Sequence, residues 1–153
     1  FISVIFFVMF LSNIMQLYLL DLSANNIINK MNKNIFGEPL ITCSKSPLTG
    51  FFRNGCCDTD DSDLGMHTVC VIVDEDFLVF SKAHGNDLST SLPQFGFTGL
   101  KNGDKWCLCA LRWKEALINN AAPKVILEAT NEKTLDIINM EDLIKNSYKD
   151  VKK

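Results

Sequence analysis

Residues 69–73 read Val-Cys-Val-Ile-Val, with no polar side chain and mostly β-branched residues. Within a strand read over residues 67–73, such a run suits burial on both faces, so the fold around it must supply cover on two sides. The residues that follow suit a helix. Asp74 can cap its start through the side-chain oxygen. Phe77, Leu78 and Phe80 give it an apolar stripe, and Gly85 suits its end.

Other elements are read in the same way. Ser46-Pro47-Leu48-Thr49-Gly50 is a turn, and Asn54-Gly55 within residues 51–57 marks a tight hairpin. Residues 58–63 form an acidic loop whose like charges favour solvent. Residues 86–103 are long for a structureless connection, which points to a packed loop with Phe95 and Phe97 as plugs into the core. Residues 106–109 read as a short strand running into a helix over about 110–119, with Leu111, Ala116 and Leu117 on its buried side. Residues 125–129 read as a strand. Residues 135–138 read as its hairpin partner across Asn131-Glu132, with a helix over 131–138 as the rival. Residues 141–148 read as a terminal amphipathic helix whose Lys-rich end complements its dipole. No internal repeat and no clean βαβ alternation is present. The expected fold is therefore α+β: a small mixed or antiparallel sheet packed by two to three helices in a single compact domain.

That domain is expected to occupy residues 31–153. Residues 1–20 hold sixteen apolar side chains and no charge. As a helix they would span about 30 Å, enough for a bilayer core. Three readings compete for this lead over 1–30: a mis-assigned start with translation beginning at Met31, a membrane anchor, and a secretory signal. Leu22-Ser23-Ala24 matches a cleavage site poorly. The Met31 start is preferred, giving a cytoplasmic protein with no membrane partner; a genuine lead would make it anchored or secreted. Lys plus Arg is 15 and Asp plus Glu is 18, a net charge of −3. Nucleic acid is not expected as a partner, because binding phosphates needs clustered positive charge.

The six cysteines all follow Met31. A strand puts residues i and i+2 on one face, so Cys107 and Cys109 can present two sulfurs together. Cys56 and Cys57 follow a tight turn. These four are the expected metal set, with zinc as the ion and His67 as a fourth or alternative ligand. The spacing includes no Cys-x-x-Cys pair. Cys43 and Cys70 read instead as small buried hydrophobes. In a cytoplasmic protein all six are expected reduced. A second constellation is catalytic: Cys56 or Cys57 as nucleophile, His67 as base, and Asp58 or Asp87 as orienting group. A third is a binding wall formed by Asn86 and Asp87 with Trp106, Arg112 and Trp113 as a stacked cation–π group. His84 reads as a surface residue late in its helix. The acidic loop fails as a calcium loop, because Asp63 stands where Gly is needed. No glycine-rich run leads into Lys-Ser or Lys-Thr, so no phosphate loop is present.

Taken together, several segments resemble one family. They are Phe36-Gly-Glu-Pro-Leu40, the run from Pro47 to Cys57, Gly65-Met-His-Thr-Val-Cys70, Gly85-Asn-Asp-Leu-Ser-Thr90, Gly103-Asp-Lys-Trp-Cys-Leu-Cys109 and Leu127-Glu-Ala129. In order, over about residues 34–144, they resemble the small bacterial family of uncharacterised proteins called DUF2237. The resemblance begins just after Met31, in keeping with a start there. It implies no catalytic roles, since the family has no established activity. Three functions stay open: a thiol-rich metal-binding or redox protein, a non-enzymatic binding module using the 86–99 loop, and a cysteine-nucleophile enzyme.

Overall fold

A strand without polar residues needs neighbours on both edges as well as on both faces. In the computed structural model, Val69–Ile72 (β1) takes the middle of a three-stranded antiparallel sheet. Lys105–Leu108 (β2) pairs with it on one side, with Cys70 opposite Cys107 and Val71 opposite Trp106. Lys124–Val125 (β3) pairs on the other, with Val71 opposite Val125. The structure describes residues 14–22 and 32–149. The chain divides into two units, Phe1–Met31 and Asn32–Lys153. In the first, residues 14–22 are helical; the rest of the apolar lead, Met31 included, lies outside the described residues. No helix among the described residues is long and apolar enough to cross a membrane.

The second unit is an α+β fold. Glu75–Ala83 forms helix α1. Asp74 caps it, its Oδ1 accepting from the Phe77 amide at 2.8 Å, and Gly85 follows the end with φ +81°. Ala110–Ile118 (α2) buries Ala110, Trp113 and Ala116. Of the expected inward face, Ala116 is fully buried and Leu117 packs against the core, but Leu111 is exposed and the fully buried Trp113 takes its part. Because an i, i+3, i+6 row lies on one helical stripe, the face is set by Ala110 and Trp113 together. Met140–Lys145 (α3) buries Leu143.

Alternation along β1 sends its side chains to two different cores. Val69 and Val71 join Phe77, Trp106, Leu108, Trp113 and Val125 in the larger one. Cys70 turns the other way, into a smaller cluster of Cys43, Cys57, Cys107 and Ala129. Both faces of the strand are thus covered, one by helices and one by sulfur.

Several expected elements differ. The strand over 125–129 stops at Val125, and Leu127–Ala129 is a 3-10 turn. A side chain replaces the backbone ladder here: the Cys70 amide donates to Thr130 Oγ1 at 3.1 Å. That hydroxyl donates in turn to the Ile126 carbonyl. The hairpin partner over 135–138 does not form; Glu132–Asp136 is a 3-10 helix capped by Asn131, closer to the rival reading. Residues 51–57 are not a stranded hairpin either. They make a closed loop in which the Cys43 and Ser44 amides donate to the Gly55 carbonyl. Phe95 does not plug the core, being 75% exposed, because the 3-10 turn Pro93–Phe95 carries it outward.

Trp113 is the largest fully buried side chain among the described residues, and its indole N–H donates to the Pro123 carbonyl at 3.1 Å. Trp113→Ala should cost about 3–5 kcal/mol, the usual range for emptying a buried tryptophan site. Trp113→Phe should cost about 1 kcal/mol more than a purely volumetric loss, since Pro123 loses its donor. Urea unfolding of both variants checks this; an alanine variant within 1 kcal/mol of wild type would show that Trp113 does not anchor the core.

Candidate functional site

The 50–53 turn, His67, the 87–97 loop and Trp106 line a cleft, open on one side, of about 480 Å³. Gly50 opens the turn with φ +91°, and a Cβ there would collide with the Cys56 carbonyl, so only glycine lets the two backbones approach. Arg53 closes it, its amide donating to the Gly50 carbonyl. Arg53 has φ +54°, a left-handed conformation uncommon outside glycine. That bend lays the guanidinium over Trp106, with Cζ 5.2 Å from the ring centroid, a cation–π arrangement. Phe97 packs on the same indole, centroids 5.5 Å apart.

His67 forms another wall of the cavity. Its orientation comes from Asp63, which the sequence placed in a solvated acidic loop. Asp63 is instead buried, with its side chain fully covered. Its two oxygens both serve His67: Oδ2 accepts from the backbone amide at 2.8 Å, and Oδ1 lies 2.7 Å from ring Nδ1. Thr59 Oγ1 donates to the same carboxylate. Like-charge repulsion is overcome because one carboxylate of the run finds three donors. In the neutral ring this bond fixes the proton on Nδ1 and leaves Nε2 as an acceptor. Phe51 stacks on the ring, centroids 6.0 Å apart and 19° from parallel.

Asp87 lies in the cavity wall, but its carboxylate is spent on its own loop. It accepts from the hydroxyls and amides of Thr90 and Ser89 and pairs with Lys82 Nζ at 3.0 Å. The Thr90 hydroxyl first, then Lys82, holds its pKa below the ordinary 3.8. Asn86 ties the loop to α1 through its backbone, its carbonyl accepting from Ser81 Oγ.

The cysteines pair as Cys43–Cys70 and Cys57–Cys107. The expected set is therefore brought together only in part: Cys57 and Cys107 are bonded, whereas Cys56 and Cys109 are free thiols. Cys43 and Cys70 are buried as expected, yet they are bridged rather than merely packed. The sulfurs of Cys43, Cys57 and Cys70 lie within 4.8 Å of one another, so the reduced trio could hold a metal ion. Cys56 Sγ faces Thr42 Oγ1 at 3.8 Å, not His67. Asp58 bonds Asn54 and not His67, leaving its Oδ1 buried with no partner among the described residues.

Trp106 and Trp113 share the larger core, but Arg112 does not join them as a stacked cation. Trp113 is enclosed in the core, and Arg112 reaches Glu115 at 3.0 Å and the His84 carbonyl. The cation over Trp106 is Arg53, and the acid behind His67 is Asp63. Sequence reasoning missed both, together with Phe51. The one available signal was that Asp63 and His67 stand four apart beside Gly65; the left-handed bend at Arg53 leaves no mark in composition.

Two outcomes follow from these bonds. Because Asp87's folded pKa is depressed, the stability it adds is present above the unfolded value near 3.8 and is lost as pH falls below it. Carboxyl NMR should give Asp87 a midpoint below that ordinary value; a midpoint at or above it would remove the network. The bridges close 27- and 50-residue spans, which chain entropy values at about 3.5 and about 4 kcal/mol. Reduction with a dithiol, in the presence of a chelator, should lower the thermal midpoint by more than about 10 °C. An unchanged midpoint would mean the bridges do not constrain the unfolded chain.

No curated protein matches the chain. A family model does, over residues 33–147, which contain every element of the sheet, the cavity and the sulfur cluster. The chain belongs to DUF2237, the family described as an uncharacterized protein conserved in bacteria.

Proposed function

We propose that the protein is a non-enzymatic binding module whose cavity takes a planar, largely apolar small molecule bearing an anionic group. One observation carries this reading: flat rings and a cation converge on a single open cleft. Phe51, Phe97 and Trp106 supply the flat walls, and Arg53 and His67 supply the polar contacts. A volume near 480 Å³ is in the range of small-molecule sites. The guanidinium favours carboxylate-like groups through paired donors. Asp87 shapes the wall through its loop, and Trp106 is the part of the expected aromatic group that serves the site. The acidic net charge supports the absence of a nucleic-acid partner.

A second reading, a thiol-rich metal-binding or redox protein with zinc as its ion, is favoured by the gathering of Cys43, Cys57 and Cys70. A catalytic set of Cys56, His67 and Asp87 has less behind it, since no hydrogen bond joins Cys56 to His67 and Asp87 is committed to Thr90. Placement in the cytoplasm belongs to this proposal too. The two bridges pull the other way, because disulfides persist in oxidising compartments; the thiol count of the native protein in cell extracts decides.

The test uses benzoate and indole-3-carboxylate as probes, with benzamide as the neutral control. Both carboxylates should shift the NMR signals of the His67 ring and the Trp106 indole, and bind more tightly than benzamide. Arg53→Ala should weaken carboxylate binding about 10- to 100-fold, the worth of a charged hydrogen bond, and leave benzamide unchanged. Equal binding of benzamide, or shifts elsewhere, would refute the anionic reading.

A further inference from the structure

We propose that Cys43, Cys57, Cys70 and Cys107, once their two bridges are reduced, form a tetrahedral site for one zinc ion. The same four sulfurs then alternate between two disulfides and one metal centre. This deepens the thiol-rich reading by assigning its ligands, and it replaces Cys56 and Cys109 with Cys43 and Cys70.

Position is the argument. Cys70 and Cys107 stand directly opposite on β1 and β2, so their side chains leave the sheet on one face. The loop that carries Cys43 and Cys57 lies against that face, with Cα separations of 5.8 Å to Cys70 and 5.2 Å to Cys107. Three of the sulfurs already lie within 4.8 Å of one another, and the fourth is bonded to Cys57. Zinc–sulfur bonds of about 2.3 Å require sulfurs about 3.8 Å apart, so rotation of the side chains closes the shell. All four residues are buried, with Cys57 and Cys70 fully so. A closed four-thiolate shell without a water position is the pattern of a structural zinc site. The free cysteines lie outside it: Cys56 faces Thr42, and Cys109 precedes α2 as its cap.

The chemistry balances with a dithiol as reductant. Each S–S bond accepts two electrons and two protons to give two thiols, while the dithiol closes into its own disulfide. Zinc then forms four Zn–S bonds, and the four thiol protons pass to solvent. A low-molecular-weight disulfide reverses the sequence: it takes the electrons, the bridges re-form and the ion leaves.

The full chain is reduced and unfolded, then refolded with and without one equivalent of zinc under anaerobic conditions. Metal is counted by elemental analysis. Iodoacetamide labelling with mass spectrometry then maps the protected cysteines, which needs no variant to fold. The expected result is one zinc per chain, with Cys43, Cys57, Cys70 and Cys107 protected and Cys56 and Cys109 labelled. Cobalt in place of zinc should give the visible spectrum of a tetrahedral thiolate site, and Cys56→Ser and Cys109→Ser should retain it. Zinc bound with protection of Cys56 or Cys109 instead would overturn this ligand set and leave the thiol-rich reading standing. Less than about 0.1 zinc per chain would overturn the metal half of both, since structural zinc binds too tightly to be lost.

Discussion

Cys70 and Cys107 face each other across the sheet, and neither bonds the other. Each reaches instead into the loop that precedes β1. That choice of partner organises the rest of the domain. A strand as apolar as β1 needs two covered faces, and the helices cover only one. The second face is closed by a loop whose large apolar side chains, Leu48, Phe51 and Phe52, are turned to the surface. Covalent sulfur does there what a layer of aliphatic side chains does on the other side. Threonine completes it. The amides of Cys70 and Cys107 donate to Thr130 and Thr49 hydroxyls, both residues fully buried, so the small core holds few unpaired polar groups.

The cavity inherits its geometry from this arrangement. Gly50, Phe51 and Arg53 lie between the two loop cysteines, and Trp106 is the neighbour of Cys107. One wall is therefore held at both ends by bridges to the central strands. The opposite wall, residues 87–97, has no bridge; it is held by hydrogen bonds, chiefly those radiating from Asp87, and by Leu88 and Phe97 packed on the larger core. The two sides differ in the kind of force that sets them: one is fixed covalently, the other by a carboxylate, its donors and two packed side chains. Movement on binding is expected on the second side, at the exposed turn around Phe95 and not at the packed Leu88 and Phe97.

What could be read in the sequence follows how local each cause is. The run at 69–73 announces a doubly buried strand, and Asp74 and Gly85 bracket its helix, because capping and alternation involve neighbours only. Residues 125–129 look equally strand-like, yet the Thr130 side chain ends the ladder, and its partner Cys70 is 60 positions away. The site shows the same division. His67 and Trp106 stood out by type, and both line the cavity. Their companions Arg53 and Asp63 did not, since one depends on a left-handed bend and the other on burial within an acidic run. Cys43 looked like packing for the same reason: its partner is set by tertiary approach, which spacing does not encode.

The order of the bridged residues has a topological result. Cys43 joins the third of the four bridged positions and Cys57 the last, so the two closed loops overlap over residues 57–70. The exposed acidic stretch at 60–62 lies inside that overlap. A protease cutting there would sever the main chain without releasing a fragment. Both halves would stay tied at two points, with the sheet whole and the His67 side of the cavity still facing Arg53 across the break.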